Sequence, residues 1–135
     1  MKKVDITFLP STKGNYFDDP LIIDWCNKLK DTLDFINIFV PKNAEEAKIF
    51  LKKSNAAYGA LSEDLIDYCE NIEWLQAPQA APPPDFYYNR LIEHSMIVTN
   101  FRGIYNDHIS HHILAMVLSF SKSLNLYIHQ QSKNL

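Results

Sequence analysis

The side chains whose spacing comes nearest to a chemical motif are three histidines near the carboxyl end of the chain. His108, His111 and His112 follow Asp107 within about one helical turn, so pairs of imidazoles share a helix face as metal ligands do. No cysteine and no second carboxylate accompanies them in the sequence. The pattern favours the start of a helix, with exposed imidazoles and an acidic first turn, over a metal site. We therefore predict no metal ligands in this chain.

Nucleophilic and redox chemistry find little support in the sequence. A serine, a histidine and an aspartate can be chosen on paper as a triad, but the G-x-S-x-G turn that would expose the serine is absent. Cys26 and Cys69 stand alone, without the C-x-x-C spacing of redox and metal motifs. We expect two reduced, mostly buried thiols in a cytoplasmic protein.

Phosphate-binding loops are also missing from the sequence. The three glycines, Gly14, Gly59 and Gly103, lie far apart. Both the G-x-G-x-x-G fingerprint and the Walker loop need closely spaced glycines, because backbone N–H groups must approach the phosphates. We predict that no residue of this chain binds a dinucleotide in the Rossmann manner.

Size and composition indicate one folded domain. The 135 residues are 47% hydrophobic and 21% charged, as in globular proteins long enough to bury a core. The net charge is −3 and basic residues are never grouped beyond a pair, so no surface for nucleic acid or an anionic membrane is indicated. Asp5 and Pro10 interrupt the amino terminus, which argues against a secretory signal. No apolar run approaches the roughly 20 residues that a membrane-spanning helix needs.

Short apolar runs alternate with helical patterns along the chain. Strands are predicted at residues 4–9, 35–40, 56–58, 73–76 and 96–99, from their β-branched, aromatic and small apolar content. This alternation predicts an α/β fold, a flavodoxin-like parallel five-stranded sheet with helices on both faces. Ligands of such folds bind beyond the carboxyl ends of the strands. Function is therefore expected in four loops, at residues 10–13, 59–61, 77–84 and 100–107.

Capping residues and apolar stripes place the helices. The first helix is predicted to begin after Asp18 or Asp19, with Pro20 in its first turn. Its core-facing stripe is predicted to consist of Ile22, Trp25, Cys26, Leu29 and Leu33. Asn43 caps a second helix, and Glu46 three residues later gives a capping-box arrangement. A third helix begins at Ser62, with an acidic first turn that suits the helix dipole.

A long apolar terminal helix is predicted over residues 106–128. Its apolar side chains cover most of the circumference: Ile109, Ile113, Leu114, Met116, Val117, Leu118, Phe120, Leu124 and Tyr127. One sheet face cannot bury so wide a surface, so the helix is expected to need a further domain or a second subunit.

A phospho-receiver domain shares the flavodoxin-like strand order and is a non-enzymatic alternative. It would need an acidic pair after the first strand, an aspartate ending the third and a lysine ending the fifth. Those places read Leu9-Pro10-Ser11, Tyr58-Gly59-Ala60 and Thr99-Asn100. The receiver interpretation therefore fails at all three positions.

Three segments carry a resemblance to a known family. They are Trp74-Leu75-Gln76-Ala77-Pro78-Gln79-Ala80-Ala81, Val98-Thr99-Asn100-Phe101-Arg102-Gly103-Ile104 and Asp107-His108-Ile109-Ser110-His111-His112. Together they resemble the amino-terminal domain of the D-isomer-specific 2-hydroxyacid dehydrogenases. In that family a strand ending W-L/V-Q enters a tight loop, and a T-N-x-x-G strand end precedes a helix with a histidine in its first turns. The resemblance covers residues 55–125 by motif and the first 54 by pattern.

The resemblance implies the substrate-side half of an NAD(P)-dependent oxidoreductase that interconverts 2-oxoacids and 2-hydroxyacids. Residues 1–105 would be the flavodoxin-like substrate domain, 106–128 an inter-domain helix that also forms a homodimer, and 129–135 a connector. The Rossmann cofactor domain would be absent, so NAD or NADP would bind the complete family enzyme and not this chain alone. The family's catalytic arginine, histidine and glutamate lie in or beyond that domain. No catalytic residue is therefore predicted here, and the chain alone is expected to be inactive.

The resemblance also implies a substrate site in the proline-rich loop after the fourth strand. The family's loop offers consecutive backbone N–H groups to the substrate carboxylate. The matching N–H groups here belong to Ala80 and Ala81, whereas Pro82 has none. Arg102 or Tyr105 is expected to share the carboxylate. Composition alone favours a rigid connector for the same loop, because prolines fix φ and loops with several prolines usually only connect elements. The alternative function is a non-catalytic module that dimerises through residues 106–128 and binds a small carboxylate.

Overall fold

The strands form one parallel sheet in the order predicted from the sequence. A computed structural model describes residues 3–13, 17 and 19–133. The strands are β1 (Val4–Phe8), β2 (Ile36–Phe39), β3 (Ala56–Tyr58), β4 (Trp74–Gln76) and β5 (Ile97–Thr99). All four pairings are parallel and the order is β2-β1-β3-β4-β5. The predicted α/β class and flavodoxin-like strand order are confirmed, with strand ends within one residue of those expected.

The first helix, α1 (Pro20–Thr32), begins where the capping residues predicted. The Asp19 carboxylate accepts a hydrogen bond from the Leu21 N–H at 3.0 Å, which satisfies one of the free donors at the helix start. Asp18, the other predicted cap, lies outside the described residues. Ile22 and Cys26 are buried, as predicted. The prediction for Trp25 is wrong, because its side chain is 46% exposed. At about 100° per residue, Trp25 lies about 60° from Ile22 around the helix, at the margin of the buried stripe.

The second helix, α2 (Ala44–Leu51), has the predicted cap with one difference. The Asn43 side chain accepts a hydrogen bond from the Glu46 N–H at 2.9 Å. The Glu46 carboxylate reaches back to the N–H of Lys42, also at 2.9 Å, one residue before the cap. After Ser62 the predicted helix is present as a 3-10 helix, Glu63–Tyr68, whose closing hydrogen bond runs from the Cys69 N–H to the Ile66 carbonyl. A 3-10 turn (Pro84–Phe86) and a one-turn helix, α3 (Asn89–Ile92), then lead to β5.

Apolar side chains are buried on both faces of the sheet. On one face, Ile22 and Cys26 of α1 pack against Ile38 of β2. The other face carries the larger cluster, to which α2 and the 3-10 helix contribute: Leu9, Ala47, Leu51, Ala57, Leu61, Leu65, Ile66, Cys69, Ile72, Leu75, Ala77, Phe86, Leu91 and Met96. Successive residues of a strand point to opposite faces. Ala57 and Tyr58 accordingly belong to different clusters.

Polar and sulfur groups in the core have partners that suit their burial. Thr7 and Ser54, both fully buried, share a hydrogen bond of 2.7 Å between their hydroxyls, so neither is left unsatisfied. Cys26 and Cys69 are free and buried, as predicted. Burial raises the pKa of the Cys26 thiol to about 11 and that of the Cys69 thiol to about 12. Both therefore remain protonated and weakly nucleophilic near neutral pH.

The described residues from Arg102 onward form a second compact unit, and those up to Phe101 form the first. The single long helix predicted over residues 106–128 is wrong. The unit contains two helices, α4 (Asn106–Ser121) and α5 (Leu124–Ser132). Ser123 between them has a left-handed backbone with φ of 55°. Three polar residues in succession, Ser121, Lys122 and Ser123, stand at the break, where serine competes for backbone hydrogen bonds and favours helix ends.

The two terminal helices bury none of their own residues. Ile113 is 57% exposed, Phe120 65% and Ile128 65%. Neither helix has a buried residue within its span, so the apolar stripe predicted from the sequence faces outward from this unit. Within the described part of the chain, no helix is long and apolar enough to cross a membrane.

Candidate functional site

A small cavity lies at the carboxyl ends of β1, β3 and β4. Its volume is about 190 Å³. Its walls are formed by Ser11, Thr12, Lys13, Ala60, Pro78, Gln79, Pro83, Asp85 and Phe86. These residues come from three of the four loops in which the sequence predicted function, together with the short turn after the third of them. Ligands of open parallel sheets bind at this edge, so the cavity is the candidate site.

Gly59 brings the loops after β1 and β3 together. Its φ is +118°, which an L side chain rarely adopts, and a Cβ at this position would lie 2.5 Å from the Leu9 carbonyl oxygen. The close approach permits three backbone hydrogen bonds: Leu9 N–H to Tyr58 O at 2.7 Å, Gly59 N–H to Gln76 O at 3.0 Å, and Ala60 N–H to Pro10 O at 2.8 Å. The floor of the cavity is therefore tied to three neighbouring strands.

The start of the proline-rich loop is held just as firmly. The Ala77 N–H donates to the Thr99 carbonyl at 2.7 Å, which extends the β4–β5 ladder by one residue. The Gln76 side chain donates to the Ala77 carbonyl at 2.9 Å and accepts from the Thr99 hydroxyl at 2.6 Å. Thr99 in turn accepts from the Trp74 indole N–H at 2.8 Å. These bonds position the residues that follow, from Pro78 onward.

The next part of the loop presents backbone donors that have no partner among the residues the structure describes. Among the described residues, no acceptor lies within hydrogen-bonding reach of the N–H groups of Gln79, Ala80 and Ala81. The three prolines that follow, residues 82–84, have no N–H to offer. Gln79 lines the cavity, whereas Ala80 is half-buried and Ala81 exposed beside it. Consecutive N–H groups without acceptors can bind an anion.

The other two predicted site residues lie in the second compact unit. Arg102 and Tyr105 are both exposed, Tyr105 by 54%. Gly103 between them has a φ of +89°, and its carbonyl accepts from the Asn106 N–H at 3.2 Å, which turns the chain into α4. Their participation in a site with Ala80 and Ala81 stays a prediction.

One charged group at the cavity was not singled out from the sequence. The Lys13 ammonium lies 3.6 Å from the Asp85 carboxylate, donates to the Asp85 carbonyl and lies 5.2 Å from the centre of the Tyr88 ring. The Tyr88 hydroxyl donates to the Ser62 carbonyl at 3.4 Å, and burial raises the pKa of that phenol. The loop at residues 10–13 was predicted to be functional, but the partner of Lys13 is 72 positions away in sequence. No local signal reveals such a pair.

Other surfaces offer less. A larger but open depression of about 380 Å³ lies by the 3-10 helix and α3, where Arg90 already forms an ion pair with Asp67. The histidines of α4, His108, His111 and His112, are all exposed. In the part of the chain that the structure describes, no group of three or more histidine, cysteine, aspartate or glutamate side chains is arranged to hold a metal ion.

Comparisons with known proteins find similarity in structure alone. No family model matches the chain, and no curated protein matches it. A D-isomer specific 2-hydroxyacid dehydrogenase family protein from Aeromonas salmonicida subsp. salmonicida superposes over the whole chain, with a TM-score of 0.63 and 20% identity. An acyclic imino acid reductase, solved in complex with NADPH and D-arginine, superposes with a TM-score of 0.54 and 20% identity. The chain covers 41% and 42% of those two chains, about two fifths of their length. At this identity the likeness establishes a shared fold.

Proposed function

We propose that this chain binds the carboxylate of a small 2-oxoacid or 2-hydroxyacid at residues 77–84. In this proposal it serves as the substrate-side domain of an NAD(P)-dependent oxidoreductase of the D-2-hydroxyacid dehydrogenase type. The observation that carries the proposal lies at the carboxyl edge of the sheet. There the three N–H groups of Gln79, Ala80 and Ala81 have no acceptor among the described residues. The shared fold with a 2-hydroxyacid dehydrogenase family protein supports it.

The chemistry of the loop suits a carboxylate. A charge-assisted hydrogen bond from a backbone N–H stabilises an anion by about 1.5–3 kcal/mol, roughly twice as much as a bond between neutral groups. The adjacent prolines restrict the loop in the unbound chain, so little further entropy is lost when the anion binds. The hydrogen bonds of Ala77 and Gln76 hold the start of the loop in place. We assign the direct contacts to the N–H groups of Ala80 and Ala81.

Hydride transfer in the proposed enzyme type uses a nicotinamide, and the three glycines of the sequence are too widely spaced for the phosphate loop that usually binds one. Gly59 and Gly103 are far apart in sequence and lie in different compact units. The absence of a side chain at Gly59 allows two loops of the chain to come close together, and not a phosphate. We therefore propose that NAD or NADP binds a separate Rossmann domain, as in the family that the sequence resembles. That domain would also supply the catalytic arginine, histidine and glutamate.

A second candidate function is a non-catalytic module that dimerises and binds a small carboxylate. The observation that favours it is the outward-facing apolar surface of α4 and α5, which have no buried residue. A homodimer formed through residues 106–128 is part of both candidates. They differ in whether the 2-oxo group of the bound acid is reduced to a hydroxyl group. Both candidates predict that the purified chain alone does not oxidise NADH or NADPH in the presence of pyruvate, because no residue here is assigned to hydride chemistry. Measurable oxidation would contradict both.

A backbone substitution tests the carboxylate site. In the unmodified chain, titration with pyruvate should shift the amide resonances of Gln79, Ala80 and Ala81. Replacing Ala81→Pro removes one N–H and leaves the side-chain surface nearly unchanged. We expect the dissociation constant for pyruvate to rise about tenfold, the value of one charge-assisted hydrogen bond.

The matched control is Ala81→Ser, which keeps the N–H and should bind pyruvate as the unmodified chain does. Amide spectra of both variants should retain the dispersed signals of the sheet, which shows that the fold is intact. Equal affinity of Ala81→Pro and the unmodified chain would sink the proposal, and so would pyruvate shifts confined to other parts of the chain.

A further inference from the structure

Lys13 is the one cationic side chain among the described residues that line the 190 Å³ cavity. Its side chain is 31% exposed, so most of it is withdrawn from solvent. It shares this cavity with Gln79, whose N–H begins the row of donors without acceptors. A single cavity therefore brings together a partly buried ammonium and one end of the proposed carboxylate-binding loop.

The present partner of Lys13 is easily exchanged. The Asp85 side chain is 72% exposed, and its carboxylate lies 3.6 Å from the ammonium, longer than a close charge-assisted hydrogen bond. Exposed ion pairs contribute little to stability, because water solvates both charges well. The Asp85 carbonyl and the Tyr88 ring keep the ammonium in place when the carboxylate moves away. An incoming anion can thus replace the carboxylate at little cost.

The size of the cavity limits what that anion can be. At about 190 Å³ it lies below the 300–1,000 Å³ typical of sites for drug-sized ligands. Ala60, Pro78, Pro83 and Phe86 supply apolar walls, which suit a short methylene chain. A nucleotide would not fit this volume.

The geometry points to a short dicarboxylic 2-oxoacid as the substrate class. Its first carboxylate lies on the N–H groups of the proline-rich loop, its methylene groups contact the apolar walls, and its distal carboxylate replaces Asp85 beside Lys13. This inference rests on the proposed function, because it assumes that the same loop binds the first carboxylate. It adds that Lys13 determines specificity.

The test compares two acids of equal chain length, 2-oxoglutarate and 2-oxopentanoate, which differ in the distal carboxylate. Dissociation constants are measured by amide chemical-shift titration of the full chain at low ionic strength. We expect 2-oxoglutarate to bind about tenfold tighter, and this preference to fall as salt is added. Lys13→Gln should remove the preference for 2-oxoglutarate, whereas Lys13→Arg should retain it.

Two further variants complete the design. Asp85→Asn removes the competing carboxylate and should strengthen the binding of 2-oxoglutarate about threefold or more. Lys53→Gln makes the same change of net charge on an exposed lysine away from the cavity, and should preserve the preference. Equal affinity of the unmodified chain for both acids, or a preference that survives Lys13→Gln, overturns the inference while leaving the proposed function in place. Binding of neither acid overturns the proposed function and the inference with it.

Discussion

The close approach of the loops after β1 and β3 predicts that Gly59→Ala strongly destabilises the fold. The φ of Gly59 is +118°, so a methyl group faces two separate penalties there. The first is conformational, because a side-chain-bearing residue in the positive-φ region costs about 1–3 kcal/mol. The second is steric, because the new Cβ would lie 2.5 Å from the Leu9 carbonyl oxygen and 2.8 Å from the Leu9 Cβ. Neither neighbour is the flexible end of a side chain, so the backbone itself must move.

The steric penalty can be worked out from the backbone hydrogen bonds that join the two loops. Moving the two loops apart lengthens the Leu9-to-Tyr58 and Ala60-to-Pro10 bonds, now 2.7 and 2.8 Å. Each such bond contributes about 0.5–1.5 kcal/mol net. Together with the conformational cost, we expect a loss of about 3 kcal/mol in the free energy of unfolding. For a domain of this size that corresponds to a decrease of about 10 °C in Tm.

Gly103→Ala is the matched control for the measurement. Gly103 also has a positive φ, +89°, but the nearest atom to a Cβ there is the Asn106 amide nitrogen at 3.8 Å. It carries the conformational penalty without the clash, so its cost should be about 1 kcal/mol. Urea unfolding followed by far-UV circular dichroism gives both values. Equal losses for the two variants, or a loss under about 1 kcal/mol for Gly59→Ala, would refute the steric argument.

Two other predictions concern the core and its thiols. Leu51→Ala should lower the free energy of unfolding by about 2–5 kcal/mol, because Leu51 is fully buried. Ile49→Ala on the same helix should change it by less than about 1 kcal/mol, because Ile49 is 53% exposed. Similar losses for the two variants in urea unfolding would contradict the assigned faces of α2. Burial raises the pKa of Cys26 and Cys69 from 9.0 to about 11 and about 12, so their contribution to stability is complete below pH 9 and decreases as the pH rises toward the folded pKa values. The urea midpoint of unfolding should accordingly decrease as the pH is raised from 9 to 11, and it should decrease less in a Cys26→Ala/Cys69→Ala variant. A disulfide-exchange reagent should label both thiols only when the chain unfolds. Rapid labelling of the folded chain at pH 8 would contradict their burial.

The parts of the fold that sequence reasoning predicted are those that local chemistry decides. Strands rich in β-branched, aromatic or small apolar residues, joined by capped helices, predict a parallel sheet. The observed order is one of the common orders that right-handed crossovers allow for five strands. Asp19 and Asn43 could be recognised as caps because a cap depends on two or three neighbouring residues. The burial of Cys26 and Cys69 followed from the absence of any motif around them.

The errors arise where one element meets another or where the backbone changes its type. Trp25 belongs to the apolar stripe of α1, but it lies at the margin of the part that is buried. Only the packing of the helix on the sheet decides where that margin falls. The break at Ser123 interrupts a run of apolar residues that the helical period alone would continue. Glu63–Tyr68 forms a 3-10 helix, in which each carbonyl bonds the N–H three residues later instead of four. Composition does not indicate which of the two patterns a short helix adopts.

The candidate site divides in the same way. Its place at the carboxyl edge of the sheet follows from the topology. The loop of residues 77–84 could be singled out because of its prolines and its resemblance to a family. The acceptor-free state of the Ala80 and Ala81 N–H groups depends on the path of the loop, which three-dimensional structure alone reveals. The pairing of Lys13 with Asp85 joins loops from distant parts of the chain.

The strand order has a consequence for how the chain folds during synthesis. β1 emerges first, β2 then joins one of its edges, and β3 joins the other. β4 adds to β3, and β5 adds to β4. Each strand thus finds its neighbour already made, and none has to be inserted between two that are paired. Growth from β1, first to one side and then strand by strand to the other, lets the sheet assemble in step with translation.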